Sequence, residues 1–339
     1  MLFQESETGA VAASPKLARA ILGTANAADV SRRLDAFCSA RLGSPLGKVL
    51  YCELSVGAAF GTLLEDGRRV LLKAHSPTTP LEYLRSVHAV QDRLVRAGFP
   101  CPKPVVHPAS FGTGFITVED LVDGGTYADA HDPKIRRLSA GTLAWLVRLA
   151  GEVPDVGGLA RGWGRPRPGE LWPKPHNALF DFEAPTAGSG WIEGLAAGAR
   201  RVLDPPGDNE LVVGHADWCS KHLRFDGGRV SAVYDWDSLR LDAEPAIAGS
   251  AAVTFPANRH LDAPNLPTPE EAWLFVEDYE AARGRPFSTR QRGVAAAAAI
   301  YGLAYLARCE HAADPACSGT DDYRRALAEH ADAYFQASS

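Results

Sequence analysis

Through the first third of the chain apolar residues alternate with polar ones in short runs, and further on they recur at helical spacing. Residues 27–42, AADVSRRLDAFCSARL, put Val30, Leu34 and Phe37 on one face, which predicts a helix closed by Gly43. Three strand-like runs follow: KVLYCELSV, AAFGTLLE and RRVLLKA. The first two meet near Gly57, and Glu65-Asp66-Gly67-Arg68 turns the second into the third. A helix is expected over 80–97, apolar at Leu81, Leu84, Val87, Leu94 and Val95. Thr79-Pro80-Leu81-Glu82 reads as its start, with Thr79 the cap, Pro80 the first helical residue and Glu82 reaching back. FGTGFITVEDLVDGG, ending at Gly125, predicts a second hairpin and an extended connector. Helical patterns then dominate, over 134–150, 190–203, 268–283, 288–310 and 320–336, interrupted by one further hairpin. Residues 153–190 are rich in Pro, Gly and Trp and predict a long irregular insertion. The pattern is a small β-rich front followed by a larger helical back.

Composition changes this picture little. A chain of 339 residues is long for one core and suggests two lobes. Apolar content of 46% and charged content of 22% are ordinary for a globular protein. The net charge of −6, without a long basic run, argues against a nucleic-acid partner. The longest apolar run, VAAAAAIYGLAYLA (294–307), is too short to cross a bilayer and predicts a buried helix. Six scattered cysteines include no two at metal-ligand spacing, and they read as reduced thiols. The first residues carry acids before any base and no long apolar stretch, so the expected location is cytoplasmic.

The densest chemistry is VVGHADWCSKHLRFDGGRVSAVYDWDS, residues 212–238. With Gly227-Gly228 as a two-residue turn, Phe225 pairs with Val230, Leu223 with Ala232 and His222 with Val233. Ser220 then comes opposite Asp235, so Asp217, His222 and Asp235 converge at one end of the hairpin. Phosphoryl transfer uses such a set: one carboxylate receives the acceptor hydroxyl's proton, another holds Mg2+ against nucleotide phosphates, and a Lys from elsewhere neutralises them.

The stretch resembles the catalytic loop and metal-binding strand of the aminoglycoside phosphotransferase family, relatives of the protein kinases. His215-Ala216-Asp217 matches the family's H-x-D, and Val233-Tyr234-Asp235-Trp236-Asp237 matches its I-D-W-type segment. The resemblance implies an α+β, bilobal protein-kinase-like fold, with an N-terminal helical segment (1–45), a nucleotide-binding lobe (46–122) and a catalytic and substrate-binding lobe (123–339). It implies Asp217 as catalytic base and Asp235 as metal ligand. His222 stands where the family has Asn; an imidazole there favours Mn2+ or Zn2+ more than an amide oxygen does. Lys221, one residue earlier, stands where tyrosine kinases of the wider superfamily carry Arg, and the resemblance implies that it helps hold a transferred phosphate. Val70-Leu71-Leu72-Lys73 resembles the kinase V-A-I-K segment, which makes Lys73 the phosphate-binding lysine. Gly57 falls in the nucleotide-covering turn, and Glu119 to Val122, with Leu121 among them, where the connector would present backbone groups to adenine. The family's Glu partner for that Lys has no clear counterpart: Glu82 lies early in its helix, and positions 86–91 read SVHAVQ.

Simpler readings stand beside these. H-x-D recurs at 260–262 and 330–332, where it reads as surface loop or helix. His215 reads as a structural brace, Asp237 as a turn residue ahead of a supporting role behind the metal ligand, and His222 equally as ligand or as a ring hydrogen-bonded within its loop. Trp163, Trp172 and Trp191 could stack on an acceptor or simply pack, and Arg161, Arg165, Arg167 and Lys174 do not make a cation-binding pocket. The expectation is an enzyme that phosphorylates a small hydroxylated molecule with ATP or GTP and Mg2+, Mn2+ being the other candidate ion. The rivals are a pseudokinase, which binds nucleotide without turnover, and a metal-dependent phosphoesterase.

Overall fold

The structure is a computed structural model that describes residues 11, 14–153, 156–161, 170–176, 179–183, 187–204, 210–316 and 322–336. Two short helices, α1 (Pro15–Leu22) and α2 (Ala27–Phe37), precede a five-stranded antiparallel sheet. Its strands are β1 (Leu46–Leu54), β2 (Ala58–Leu64), β3 (Arg69–His75), β4 (Pro104–Phe111) and β5 (Gly114–Asp120), in spatial order β1-β2-β3-β5-β4. Leu17, Ile21, Val30 and Leu34 of the two helices share one core with Val49, Phe60, Leu72 and Ile116 of the sheet. Alternation explains this: Val70, Leu72 and Ala74 of β3 turn inward, and Lys73 between them faces the other way.

Helix α3 (Leu81–Arg96) begins one residue later than expected. Pro80 is its cap, no side chain caps it, and Glu82 pairs with Arg85 on the surface instead of reaching back. Pro80 lacks an N–H and holds an extended ψ of 138°, so it closes the approach and leaves the helix to start at Leu81. Val87, Val90 and Leu94 of α3 pack into a second, larger core built by the back of the molecule.

That back contains α4 (Pro133–Ala150), α5 (Gly190–Leu203), α6 (Glu244–Ala252), α7 (Pro269–Arg283), α8 (Thr289–Ala313) and α9 (Asp322–Gln336). Capping boxes at Thr268/Glu271 and Ser288/Gln291 start α7 and α8. Every residue of α8 from Val294 to Tyr305 is buried, as its unbroken apolar run requires. Among the described residues no helix is long and apolar enough to cross a membrane. Two strand pairs lie between these helices: β6 (Leu211–His215) with β9 (Leu239–Ala243), and β7 (Leu223–Asp226) with β8 (Arg229–Val233). The chain passes from front to back through residues 121–132, and Thr126 exchanges two backbone hydrogen bonds with Phe225 of β7, both 2.9 Å.

Candidate active site

The hairpin forms around its two glycines. Gly227 and Gly228 have φ of 55° and 82°, the positive pair that a two-residue turn of this kind needs. Phe225 pairs with Val230 as expected, but beyond them the register slips by one residue. A bulge at Ser231 sets Arg224 against Ala232 and Leu223 against Val233, where Leu223 to Ala232 and His222 to Val233 were expected. His222 therefore faces Tyr234, whose N–H donates to its carbonyl at 2.9 Å. The predicted convergence survives the slip because its two ends are anchored separately.

The first end, from His215 to His222, is clamped by buried polar contacts. Trp218 donates from Nε1 to Ser139 Oγ of α4 at 3.0 Å, and the Ser220 and Lys221 N–H groups donate to Phe255 and Ala257 carbonyls. His215 is a brace: its Nε2–H donates to the Tyr234 carbonyl at 3.0 Å, tying loop to hairpin. Burial pulls its imidazole down to about 4, so it is neutral. At the other end Asp235 has φ 66°, the only described residue other than glycine with positive φ. Aspartate tolerates that region better than most side chains, and strain of this kind gathers at functional sites. Trp236 holds the turn from below, donating from Nε1 to Val233 O at 2.9 Å and packing edge-on to Phe99 and His215.

Lys73 crosses from the front sheet to meet this turn. Its Nζ donates to Asp235 Oδ1 at 2.7 Å and also to Asp237 Oδ1. Desolvation opposes the Lys73 charge, but Asp235 and Asp237 outweigh it and hold the ammonium well above its ordinary range. Burial pushes Asp235 up, yet Lys73 first and then His222 keep it well below the usual carboxylate range. Asp237, also buried, goes the other way: burial and the neighbouring Asp235 raise it, against Lys73. The expectation for Asp237 as a turn residue missed this role, and Glu82 is not the Lys73 partner. Tyr83 of α3 donates to the Asp237 carbonyl and so links that helix to the same turn.

Asp217 lies on the other side of His222 from Asp235, with its side chain 43% exposed. His222 Nε2 is 3.0 Å from Asp217 Oδ2 and 3.8 Å from Asp235 Oδ2, so one imidazole stands between the two carboxylates. Lys221 Nζ is 3.2 Å from the same Asp217 oxygen. Burial raises the Asp217 carboxyl, but the His222 charge and hydrogen bond, then Lys221, bring it far below its ordinary value. Burial lowers the His222 imidazolium, and Cys219, Asp235 and Asp217 more than offset this, lifting it to about 10. In this state His222 donates from Nε2 and positions Asp217; to bind a metal it must first give up that proton.

The family assignment rests on a model of the phosphotransferase enzyme family that matches residues 54–243, more than half of the chain. The chain belongs to the phosphotransferase enzyme family. A search of curated proteins returns no match. Among solved structures the chain is similar to amicoumacin kinase in complex with AMP-PNP and Ca2+, with a TM-score of 0.64 at 12% identity, covering 91% of this chain and 96% of that one. It is similar to an aminoglycoside 2'-phosphotransferase in a GDP complex, with a TM-score of 0.60 at 11% identity, covering 93% and 100%. A choline/ethanolamine kinase family protein from Mesorhizobium loti gives a TM-score of 0.53 at 16% identity, covering 92% of each chain. At these identities the likeness establishes the fold, which is α+β and protein-kinase-like.

Gly57, Glu119 and Leu121, the other residues expected around the nucleotide, lie in and beside the front sheet. Gly57 sits in the β1–β2 turn, where a Cβ would stand 2.8 Å from the Ala74 carbonyl oxygen, so only glycine lets the turn lie this close to β3 and Lys73. The Leu121 N–H is already used, donating to Arg69 O at 3.1 Å, and the Val122 carbonyl accepts from the Tyr234 hydroxyl at 2.6 Å. Glu119 turns its side chain inward and accepts from Gln91 Nε2 at 2.7 Å. Burial pushes its carboxyl up to about 7, against the lowering effect of Gln91 and Lys73. The folded protein then keeps a proton that the unfolded chain releases near its ordinary value of 4.5, so stability falls as pH rises from about 4.5 to 7. Glu119→Gln should flatten the fall in Tm across that window and leave the variant more stable than the parent at pH 8, by about 1–3 kcal/mol. Thermal unfolding at pH 5 and pH 8 checks this, and parallel curves for the two proteins would refute it.

Within the insertion, Trp163, Arg165 and Arg167 lie outside the described residues. Trp172 packs with Phe182, Tyr301 and Tyr305 over α8, and Trp191 is exposed at the start of α5.

Proposed function

We propose that the chain transfers the terminal phosphoryl group of ATP or GTP to a hydroxyl of a small molecule such as an antibiotic, a sugar or another metabolite. The observation that carries this reading is the meeting of Lys73, from the front sheet, with Asp235 and Asp237 from the back, beside a positioned Asp217. A lysine brought to this turn from the front sheet has a task in holding nucleotide phosphates, as expected in a chain of the phosphotransferase enzyme family.

The donor set fits a hard divalent ion. Asp235 and Asp237 present carboxylate oxygens to one point, and a cation, the Lys73 ammonium, already stands between them. Mg2+ or Mn2+, held by Asp235, would supply charge neutralisation to the nucleotide phosphates. Lys73 would then exchange a carboxylate for phosphate oxygens, keeping a buried charge paired throughout. Asp217 accepts a hydrogen bond from the acceptor hydroxyl and aligns its oxygen. So acidic a carboxylate is a weak base, and it takes the proton on Oδ only as the new O–P bond forms and the hydroxyl grows acidic. His222 holds the Asp217 carboxylate in place, and as a ligand beside Asp235 it would serve only after losing its Nε2 proton. Lys221, its side chain 37% exposed at the cleft mouth, is free to swing from Asp217 toward the transferred phosphate.

Incubation with terminally labelled ATP or GTP, Mg2+ and a panel of hydroxylated compounds tests the reading. Label is expected on an organic acceptor with at least one nucleotide. Nucleotide binding without turnover, or release of free phosphate regardless of acceptor, would overturn it in favour of a pseudokinase or a phosphoesterase respectively.

A further inference from the structure

A second metal chemistry is built into the catalytic loop. His222 N–H donates to the Cys219 carbonyl at 3.0 Å, closing a single tight turn over Ser220–His222. The Cys219 thiol and the His222 ring both reach Asp217 from the two ends of this turn. Asp217, two residues earlier, closes the set: Cys219 Sγ is 3.7 Å from Asp217 Oδ1, and His222 Nε2 is 3.0 Å from Asp217 Oδ2. One ligand atom from each of the three residues lies within 4.8 Å of the others, and among the described residues no other Cys, His, Asp and Glu side chains gather in this way.

We propose that Asp217, Cys219 and His222 form an inhibitory site for Zn2+, separate in character from the hard-cation position at Asp235. This rests on the reading of Asp217 as catalytic base. Tetrahedral Zn2+ with a metal–sulfur distance of about 2.3 Å and metal–nitrogen and metal–oxygen distances of about 2.0–2.1 Å sets its ligand atoms about 3.3–3.6 Å apart. The three ligand atoms, within 4.8 Å of one another, need to draw in by about an ångström at most, within reach of side-chain rotation. Thiolate, carboxylate and neutral imidazole bring two negative charges to a doubly charged ion, so the filled site is neutral and suits a buried thiol. Binding releases the thiol proton and the His222 Nε2 proton to solvent. A fourth position stays open toward the exposed face of Asp217. Sulfur selects Zn2+ over Mg2+, so millimolar Mg2+ does not compete for Cys219. With its carboxylate on zinc, Asp217 cannot accept a hydroxyl proton, and transfer stops.

Cobalt substitution reads the site directly. Co2+ added to the nucleotide-free protein should give a thiolate-to-cobalt charge-transfer absorption that one equivalent of Zn2+ abolishes. Cys219→Ala and His222→Ala should lose the band, with affinity reduced more than the about 10–100-fold expected for changes outside the ligand set. Cys101→Ala and Cys309→Ala should keep it. Far-ultraviolet circular dichroism confirms that each variant is folded, and Cys219→Ser supplies a second probe of the same position. Turnover, normalised to each protein's zinc-free rate, should be inhibited by Zn2+ and restored by chelator in the parent, and be insensitive in Cys219→Ala. A missing band, a band that survives Cys219→Ala, or equal inhibition of both proteins would overturn the proposal. Because the spectrum requires no turnover, its failure is distinguishable from failure of the phosphotransferase reading.

Discussion

Asp217→Asn is expected to lower kcat by about 10³-fold, worth about 4 kcal/mol of transition-state stabilisation, with nucleotide affinity changed by less than about threefold. Asparagine keeps the size and can still accept from His222 and Lys221, which now contact Asp217 at 3.0 and 3.2 Å, so the loop should hold its shape. What it cannot do is take the proton. The expected signature is a fall in kcat with KM for nucleotide unmoved, read by steady-state kinetics on the purified variant. A rate within about tenfold of the parent would mean the proton leaves by another route and Asp217 is not the base.

Asp235→Asn should be as damaging for a different reason. The backbone there sits at φ 66°, which asparagine accepts as well as aspartate, so the turn should survive. The lost charge leaves Asp237 as the one carboxylate on Lys73 and removes the strongest oxygen donor for a divalent ion. Activity should drop by about 10³-fold or more, and stabilisation of the protein by nucleotide should lose its dependence on added Mg2+. Thermal unfolding with ATP, with and without the ion, measures this. Asp235→Ala would be a poorer variant, since alanine is strained at that φ and would mix a folding defect into the result. A metal-dependent shift that persists in Asp235→Asn would place the ion elsewhere.

Much of this architecture was legible because local signals agreed. Helices α4, α5 and α9 of the back follow their apolar periods, whereas α7 and α8, apolar on more than one face, are marked by the capping boxes at their starts. The front sheet follows from three alternating runs separated by turns, with Gly67 at φ 87° in the second. Short elements with neither a period nor a cap signal leave less trace. In α6 every residue from Pro245 to Ala252 is buried, so no polar face marks it as a helix. The β6–β9 pair joins residues 211–215 to 239–243, and five-residue strands that far apart leave no local trace of their pairing. Helix α1 had a readable signature, Pro15 at its first position and Gly23 beyond its end.

The site divides in the same way. His215-Ala216-Asp217, the glycine turn and Asp235 are close in sequence, so a hairpin was enough to bring them together. The bulge at Ser231 was invisible because one extra residue leaves the apolar pattern of so short a strand intact. The role of Asp237 depends on Lys73, 164 residues away on another lobe, and nothing near it in sequence signals that pairing. Conversely, Cys219-Ser220-Lys221-His222 places a Cys and a His three residues apart, a spacing visible in the sequence itself.

The central claim is that a carboxylate turn from the back and an amine from the front hold one nucleotide–metal complex between them. A crystal structure with a non-hydrolysable nucleotide and Mn2+, read by anomalous scattering, tests it most directly. The account predicts a manganese peak within direct coordination distance of the Asp235 carboxylate, Lys73 Nζ against phosphate oxygens, and Asp217 facing the terminal phosphorus. Manganese away from Asp235, or nucleotide bound with Lys73 still locked to both aspartates, would contradict it.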